Sequence, residues 1–180
     1  MSYARQKVSS LKMTSQTKSK SKTSLFDSLE QEAYLQLWRT YDRLREIEET
    51  LFTAHGISAQ QYNALRLLKS AHPRKLASSE LSARLVSRSP DMTRLLDKLE
   101  ELNLVARNRC TTNRRLIEVV ITEQGLAKLK SLASEVRKCN RAQLGHLSQG
   151  KLDTLIAILR EARQPHENAS STNETWPGNL

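Results

Sequence analysis

The sequence contains little glycine and few aromatic residues. It has 5 glycines in 180 residues, where average usage of roughly 7% would give about 13. Barrels, sandwiches and glycine-rich phosphate loops need positions with positive φ or close backbone approach, so this count disfavours them and favours long helices. Aromatic residues make up 4% of the chain, which argues against a binder of single-stranded nucleic acid built on stacking platforms.

Cysteines and long apolar runs are also scarce. Cys110 and Cys139 form neither a CxxC pair nor a metal-ligand pattern, which indicates a reduced, intracellular chain. The longest aliphatic run, residues 155–159, is far shorter than the roughly 18 residues of a membrane helix. The N-terminus lacks the apolar stretch of a secretory signal. We therefore predict a protein of the cytoplasm with no membrane partner.

The patterns of common catalytic and metal sites are missing as well. The four histidines show no HExxH spacing, and no GxSxG motif occurs. Residues 145–151 match most of the phosphate-binding loop motif. However, Leu152 occupies the position of the Ser or Thr that would bind magnesium, and no predicted strand precedes the segment. The sequence therefore predicts a protein that is not an enzyme and has no metal and no cofactor.

Positive charge is abundant but unevenly distributed. The formal net charge is +10, and residues 1–24 carry six basic residues and no acidic one. This Ser/Thr/Lys-rich tail predicts disorder; it serves as a non-specific DNA arm, as an extended start upstream of Met13, or as a solubilising segment. Residues 164–180 are polar and predict a second flexible tail. Residues 78–124 are nearly neutral, with eight basic and seven acidic residues.

Between the tails the sequence pattern is mostly helical. Apolar residues recur at steps of three and four from residue 25 to 54, and Gly56 follows as a C-terminal cap. A second helix is predicted over residues 58–71, and a third, carrying Leu81 and Leu85, follows Ser78. A fourth runs to residue 102, with Asn103 in the position of a left-handed cap.

The start of the fourth helix has its own signature. Ser89 is a candidate cap, Pro90 suits the first helical position, and Asp91 adds an acid to the first turn.

The periodicity then changes from 3.6 to 2. Residues 105–110 and 116–121 are predicted strands of a hairpin, with Val119 and Ile121 facing inward. Thr122 is predicted to cap a fifth helix, and a sixth follows Ser148. The predicted fold class is mostly α with a small β-hairpin wing: a winged helix-turn-helix flanked by N- and C-terminal helices. In such a domain the second helix of the motif enters the major groove and the hairpin reaches the flanking backbone or minor groove.

Three segments resemble the multiple antibiotic resistance regulator (MarR) family of bacterial transcription factors. Residues 89–100 (SPDMTRLLDKLE) resemble its recognition helix, residues 103–107 (NLVAR) its exit into the wing, and residues 113–125 (NRRLIEVVITEQG) its wing signature. The resemblance covers roughly residues 25–163. Asn103 replaces the usual glycine, and Asn113 replaces the usual aspartate, so the wing residue Arg115 lacks its charged clamp.

The resemblance implies a homodimeric, cytoplasmic and nucleoid-associated repressor of bacterial genes that binds a palindromic operator. It places the winged helix-turn-helix at about residues 57–122 and the dimerisation helices at about 25–55 and 123–163. It also implies release of double-stranded DNA by a small aromatic or lipophilic effector. An apolar stripe in the first helix is either dimer core or effector pocket: Tyr34, Leu37, Trp38, Tyr41 and Leu44.

Basic and polar residues cluster at the fourth helix and in the hairpin, where they are the candidate DNA contacts. Two alternatives stay open there: Arg94 contacts a phosphate or pairs with Asp91 or Asp97, and Met92 reaches a base edge or packs inward. The candidates are Arg84, Arg88, Ser89, Met92, Thr93, Arg94, Arg107, Arg109, Asn113, Arg114 and Arg115.

Two other functions compete with the ligand-responsive regulator. One is a winged-helix interaction module that binds nucleic acid non-specifically through its basic tail. The other is a regulator that senses oxidants through a cysteine, with Cys110 at the end of a wing strand as the candidate.

Overall fold

The computed structural model describes residues 26–86, 91–109 and 116–167. Within these ranges the chain forms six helices and three strands. In chain order they are α1 (Leu29–Ala54), α2 (Ala59–Ala71), β1 (Leu76–Ala77), α3 (Ser78–Arg84), α4 (Met92–Glu101), β2 (Val105–Arg109), β3 (Ile117–Ile121), α5 (Glu123–Leu144) and α6 (Gln149–Glu167).

The described residues up to Arg39 and those from Thr40 onward belong to two compact units. In the first unit α1 begins at Leu29 rather than near residue 25, because Ser28 caps it: the Ser28 Oγ accepts a hydrogen bond from the backbone N of Gln31 at 3.1 Å. The side chain of Gln31 accepts one from the backbone N of Asp27 at 2.7 Å. The first bond satisfies an amide group that the first helical turn leaves without a partner, and the second holds the residue before the cap against that turn.

In the second unit, polar caps and left-handed residues set the ends of the elements. Ser58 caps α2 in a reciprocal arrangement with Gln61. Gly56 and Asn103 have φ of 71° and 56°, as predicted for residues that close helices. Thr122 caps α5 by accepting a hydrogen bond from the backbone N of Gly125 at 3.0 Å, which confirms the predicted start of that helix.

The core of the second unit lies where α2, α3, α4 and α5 meet the sheet. Its fully buried side chains come from all of these elements and from the end of α1: Phe52, Leu65, Leu68, Leu76, Leu81, Leu99, Val119 and Leu132. Val119 and Ile121 are buried, as the alternating pattern predicts. The helices and the hairpin therefore share one hydrophobic core, which fixes the hairpin relative to α4.

The sheet contains a strand that the sequence pattern does not reveal. The strand order is β1-β3-β2 and both pairings are antiparallel, with Leu76 opposite Val119 and Val105 opposite Ile121. At two residues, β1 is too short to show an alternating pattern. It adds the apolar side chain of Leu76 to the core beside the central strand β3.

In the second unit, three predicted helix ends are wrong. The cap of α4 is Asp91, not Ser89: α4 begins at Met92, and the Asp91 side chain accepts a hydrogen bond from the backbone N of Arg94. Leu85 is buried but lies just after α3. Helix α6 continues past residue 163 to Glu167 and includes Pro165.

Candidate nucleic-acid interface

The N-terminal end of α4 presents polar side chains to solvent. Thr93 and Arg94 are exposed, whereas Leu95 and Leu96 on the other face are buried. Met92 is partly buried and packs against the hydrophobic core, so it anchors the first turn. The helix therefore exposes Thr93 and Arg94. Of the two alternatives for Met92, contact with a base edge or inward packing, the structure shows inward packing.

The Arg94 guanidinium has no carboxylate partner among the residues that the structure describes. Its backbone N donates to Asp91 Oδ1 at 2.8 Å, and Asp97 is engaged by another residue, Arg107. Among the described residues no ion pair involves the Arg94 side chain, so its charge is available to an anion outside the chain. Of the two alternatives for Arg94, the pairing with Asp91 or Asp97 is absent.

Arg107 joins the base of the wing to α4. Its Nη2 lies 2.7 Å from Asp97 Oδ1 and also contacts Glu100 Oε2, and its side chain is 24% exposed. Its Nε donates to Glu100 Oε2 at 2.8 Å, and its backbone N donates to Glu100 Oε1 at 3.1 Å. These bonds lower the pKa of Glu100 and raise that of Arg107. The predicted DNA contact Arg107 is thus bonded to two acids of α4.

Arg84 is likewise held within the chain. Its Nη2 lies 2.6 Å from Glu80 Oε1, one helical turn away, and its side chain is 27% exposed. Arg74 binds both oxygens of the same carboxylate, at 3.2 and 2.9 Å. The hydrogen bond from Arg74, followed by the charges of both arginines, lowers the pKa of Glu80 despite some desolvation. This cluster ties α3 to the segment that precedes β1.

The predicted contacts do not include the pairing of these acids with Arg84 and Arg107. The spacing of four between Glu80 and Arg84 on one helix was a usable signal. In contrast, Arg107 lies on a strand, and Asp97 and Glu100 lie on a helix. Residue spacing along the sequence does not predict a contact between two such elements.

The wing contributes one exposed arginine within the described residues. Arg109, at the end of β2, is exposed and lies opposite Ile117 of β3. The hairpin tip and the turn before α4 lie outside the described residues. With them lie five predicted contacts and one cysteine: Arg88, Ser89, Asn113, Arg114, Arg115 and Cys110. The structure thus places Thr93, Arg94 and Arg109 on the surface of α4 and β2, with Arg107 fastening the two elements.

The predicted apolar stripe is largely exposed. In the first unit Tyr34 and Trp38 are 62% and 60% exposed, with Leu37 also exposed, and the two rings lie 6.2 Å apart. In the second unit Tyr41 is exposed and Leu44 is half-buried. Helix α6 contains no buried residue and exposes Ile156 and Ile158. Exposed apolar surface of this extent is typical of helices that pack against another chain.

A membrane span and a metal site are both absent from the described residues. They contain no helix long and apolar enough to cross a membrane, and no cluster of His, Cys, Asp and Glu side chains suited to a metal ion. Cys139 is buried, and burial followed by the charge of Glu48 raises the pKa of its thiol. A thiol in these surroundings is a poor redox sensor, because the thiolate is the reactive form.

Comparison with known proteins identifies related chains. A model of the MarR family matches residues 57–117. The transcriptional repressor MprA of Escherichia coli strain K12 is 29% identical over 119 residues, which is 66% of this chain and 68% of that protein. A crystal structure of a MarR transcription factor from Planctomyces limnophilus is 51% identical, covers 75% of this chain and 98% of its own, and superposes with a TM-score of 0.61.

A structure solved with DNA shows the same fold. Sco3205, a MarR family transcriptional regulator from Streptomyces coelicolor in complex with DNA, is 19% identical and covers 78% of this chain and 89% of its own, with a TM-score of 0.69. The predicted arrangement, mostly helical with a small antiparallel wing, is therefore confirmed.

Proposed function

The chain belongs to the MarR family of transcriptional regulators, and from that membership we propose that it is a sequence-specific, homodimeric repressor acting in the bacterial cytoplasm. Two copies bind a palindromic operator in double-stranded DNA, and a small aromatic or lipophilic effector releases them.

One observation carries the DNA-binding proposal. Arg94 and Thr93 are exposed on the first turn of α4, and Arg109 is exposed on the adjoining wing strand, while acids of α4 hold Arg107 at the junction. Two exposed arginines on elements fixed to each other can contact phosphates on either side of a groove. Thr93 supplies a side chain short enough to read a base edge.

The exposed apolar residues support the homodimer. Tyr34, Trp38 and Tyr41 on α1, and Ile156 and Ile158 on α6, are all largely exposed. A second copy of the chain covers them and places two recognition helices about 34–36 Å apart, one turn of DNA. An effector that changes this spacing removes simultaneous contact with both half-sites and so releases the DNA.

Footprinting with the full chain tests this function. Genomic fragments selected by the purified protein are expected to share a palindrome with protected half-sites about one helical turn apart. Arg94→Ala and Arg109→Ala should each weaken binding about tenfold and reduce the slope of log affinity against log salt by about one. Arg137→Ala, which removes one exposed charge from α5, is the control and should change little. Binding without sequence preference would overturn the proposal.

Removal of residues 1–24 separates this function from non-specific binding through the tail. The shortened chain should keep its operator footprint with most of its affinity, because the specific contacts lie on α4 and the wing. Loss of nearly all DNA binding on truncation, with equal affinity for all sequences beforehand, would favour the non-specific module instead.

A further inference from the structure

The outer face of α5 carries a concentration of positive charge. Over residues 124–152 the sequence has six Lys and Arg residues and one acidic residue, Glu135. The Glu135 carboxylate is engaged elsewhere, because its Oε2 lies 2.9 Å from Nε2 of His55. Lys128 is half-buried and donates to the backbone O of His55 at 2.9 Å, so it is directed inward. Four exposed cations remain on this helix: Lys130, Arg137, Lys138 and Arg141.

These four cations, here called the α5 basic face, lie along one side of the helix. At 3.6 residues per turn, positions i, i+7, i+8 and i+11 fall within about a third of the helix circumference and extend over about 16 Å of its axis. The other side of α5 is buried through Leu129, Leu132 and Cys139. The α5 basic face is therefore directed away from the core, toward solvent.

The charges of the α5 basic face have no counter-charge within the described part of the chain. No ion pair there involves any of the four residues, whereas Arg45 pairs with Glu49 one turn along α1, and equivalent pairs occur in α4 and α6. Arg137 and Arg141 lie four residues apart, a spacing at which like charges destabilise a helix. This arrangement is unfavourable in the isolated subunit, and an anion of another molecule would relieve it.

The side chains beside these cations favour a phosphate backbone over a protein as the partner. Ala127, Ser131 and Ser134 occupy the neighbouring exposed positions of α5, so no large apolar or aromatic side chain stands among the cations as an anchor. Protein interfaces usually depend on such anchors and are poor in lysine. Phosphate contacts need only Lys, Arg and short hydroxyl side chains. The chemistry of the α5 basic face therefore matches a nucleic-acid backbone.

The α5 basic face is separate from the recognition surface. Thr93, Arg94 and Arg109 lie on α4 and β2, whereas α5 starts after the wing and packs against α2. Measured from Thr122, which ends the wing, the cations lie about 12 to 28 Å along the axis of α5. The charged face thus extends away from the wing, and the chain has two basic surfaces on different helices.

We propose that the α5 basic face binds the phosphate backbone of a second DNA duplex while α4 and the wing hold the operator, an inference that rests on the proposed function. The two surfaces differ in kind: the recognition surface contacts bases and phosphates, and the α5 basic face contacts phosphates alone and has no sequence preference. The regulator thereby joins two segments of DNA, and this bridging weakens steeply as salt is raised.

Capture of one duplex through another tests the α5 basic face. An operator duplex of about two helical turns is immobilised, saturated with the full chain and exposed to a labelled duplex of unrelated sequence. The wild type should retain the labelled duplex. The fourfold variant Lys130→Gln, Arg137→Gln, Lys138→Gln and Arg141→Gln should weaken retention at least about tenfold at about 0.1 M salt, and should lower the slope of log affinity against log salt by up to about four.

A matched variant makes the same change in net charge at other places. It replaces two arginines and two lysines that are exposed on α1, α2 and α6 by glutamine: Arg43, Arg66, Lys69 and Lys151. Its retention of the labelled duplex should stay near the wild-type level. Both variants should keep the operator footprint, which also shows that they fold. Residues 1–24 are present in all three proteins, so the tail contributes equally to each.

A milder variant gives an independent measurement. Arg141→Gln alone should lower the salt slope of retention by about one and leave operator binding unchanged. Equal retention by the wild type and the fourfold variant would overturn the assignment. An equal loss in the fourfold and matched variants would overturn it as well, because net charge and not the α5 basic face would then be responsible.

The length of the operator fragment separates a second duplex from the flanks of the first. If lengthening the operator duplex raises wild-type affinity and the unrelated duplex is never retained, the α5 basic face contacts the flanks, and the bridging proposal is overturned. An intact operator footprint without retention overturns the bridging and leaves the proposed function standing. A protein that selects no sequence, yet loses DNA binding in the fourfold variant, overturns the proposed function and makes the α5 basic face its main DNA surface.

Discussion

Replacement of Arg107 by methionine should loosen the junction between the wing and α4. The substitution Arg107→Met keeps an apolar stem and removes the guanidinium that binds Asp97 and Glu100. A hydrogen bond to a charged group contributes about 1.5–3 kcal/mol when withdrawn from water, and an exposed ion pair about 0–1 kcal/mol. The Arg107 side chain is 24% exposed and its partners 45% and 40%. We therefore expect a loss of about 1–2 kcal/mol in the free energy of unfolding.

Urea unfolding followed by circular dichroism, at one fixed protein concentration, measures this loss. Arg109→Met is the matched control: it changes the same residue type two positions along β2, where the side chain is exposed. It should alter the free energy of unfolding by less than about 0.5 kcal/mol. Equal losses in the two variants, or no loss in Arg107→Met, would refute the assignment of Arg107 as the junction.

The pH dependence gives an independent check on the same contact. Arg107 lowers the pKa of Glu100 below its ordinary value of 4.5. A carboxylate whose pKa is lower in the folded chain stabilises it above the unfolded pKa, and this contribution is lost as the pH falls through the folded value. The stability difference between wild type and Arg107→Met should therefore be largest near neutral pH and shrink below about pH 4.5. A difference that stays constant down to pH 3 would contradict the pairing.

Three further substitutions test packing, capping and assembly. Gly125→Ala should lower the free energy of unfolding by about 2–3 kcal/mol, because its Cβ would lie 2.2 Å from Leu104 O; in the same urea series Gly150→Ala, which meets nothing within 4 Å, should be neutral or slightly stabilising. Ser58→Ala should cost about 1 kcal/mol by removing the cap of α2, and a thermal melt with an unchanged midpoint would argue against that role. If the chain forms the proposed homodimer, Trp38→Glu should convert it to monomer in sedimentation velocity, and a dimer that persists would exclude this surface from the interface.

Local sequence signals predicted most of the second unit. Gly56 and Asn103 follow the ends of helices and have the predicted positive φ. Thr122 precedes the start of a helix and accepts the predicted cap hydrogen bond. The buried Val119 and Ile121 likewise follow from alternation along one strand. These features depend on residues within one or two turns of each other, which is the range over which propensity and periodicity act.

Features that depend on contacts between distant segments were not predicted. The strand β1 is defined by its partner β3, not by its own two residues. One local feature was also predicted wrongly: Ser89 followed by proline matches the usual cap signature, but Asp91 accepts the cap bond from the backbone N of Arg94. The charge of Arg107 alone predicts a DNA contact, whereas the ion pairs of Arg107 with Asp97 and Glu100 depend on how β2 packs against α4.

The order of the strands has a consequence for solubility. With β3 in the centre, the free edges of the sheet are β1, which has only two residues, and β2. An unpaired strand edge is a template for joining sheets of separate molecules, and short or charged edges prevent this. The exposed Arg109 lies on the β2 edge, and its charge disfavours pairing of this edge with another copy. A wing engineered for neutral or apolar surfaces would lose that protection, and aggregation would compete with any change in DNA recognition.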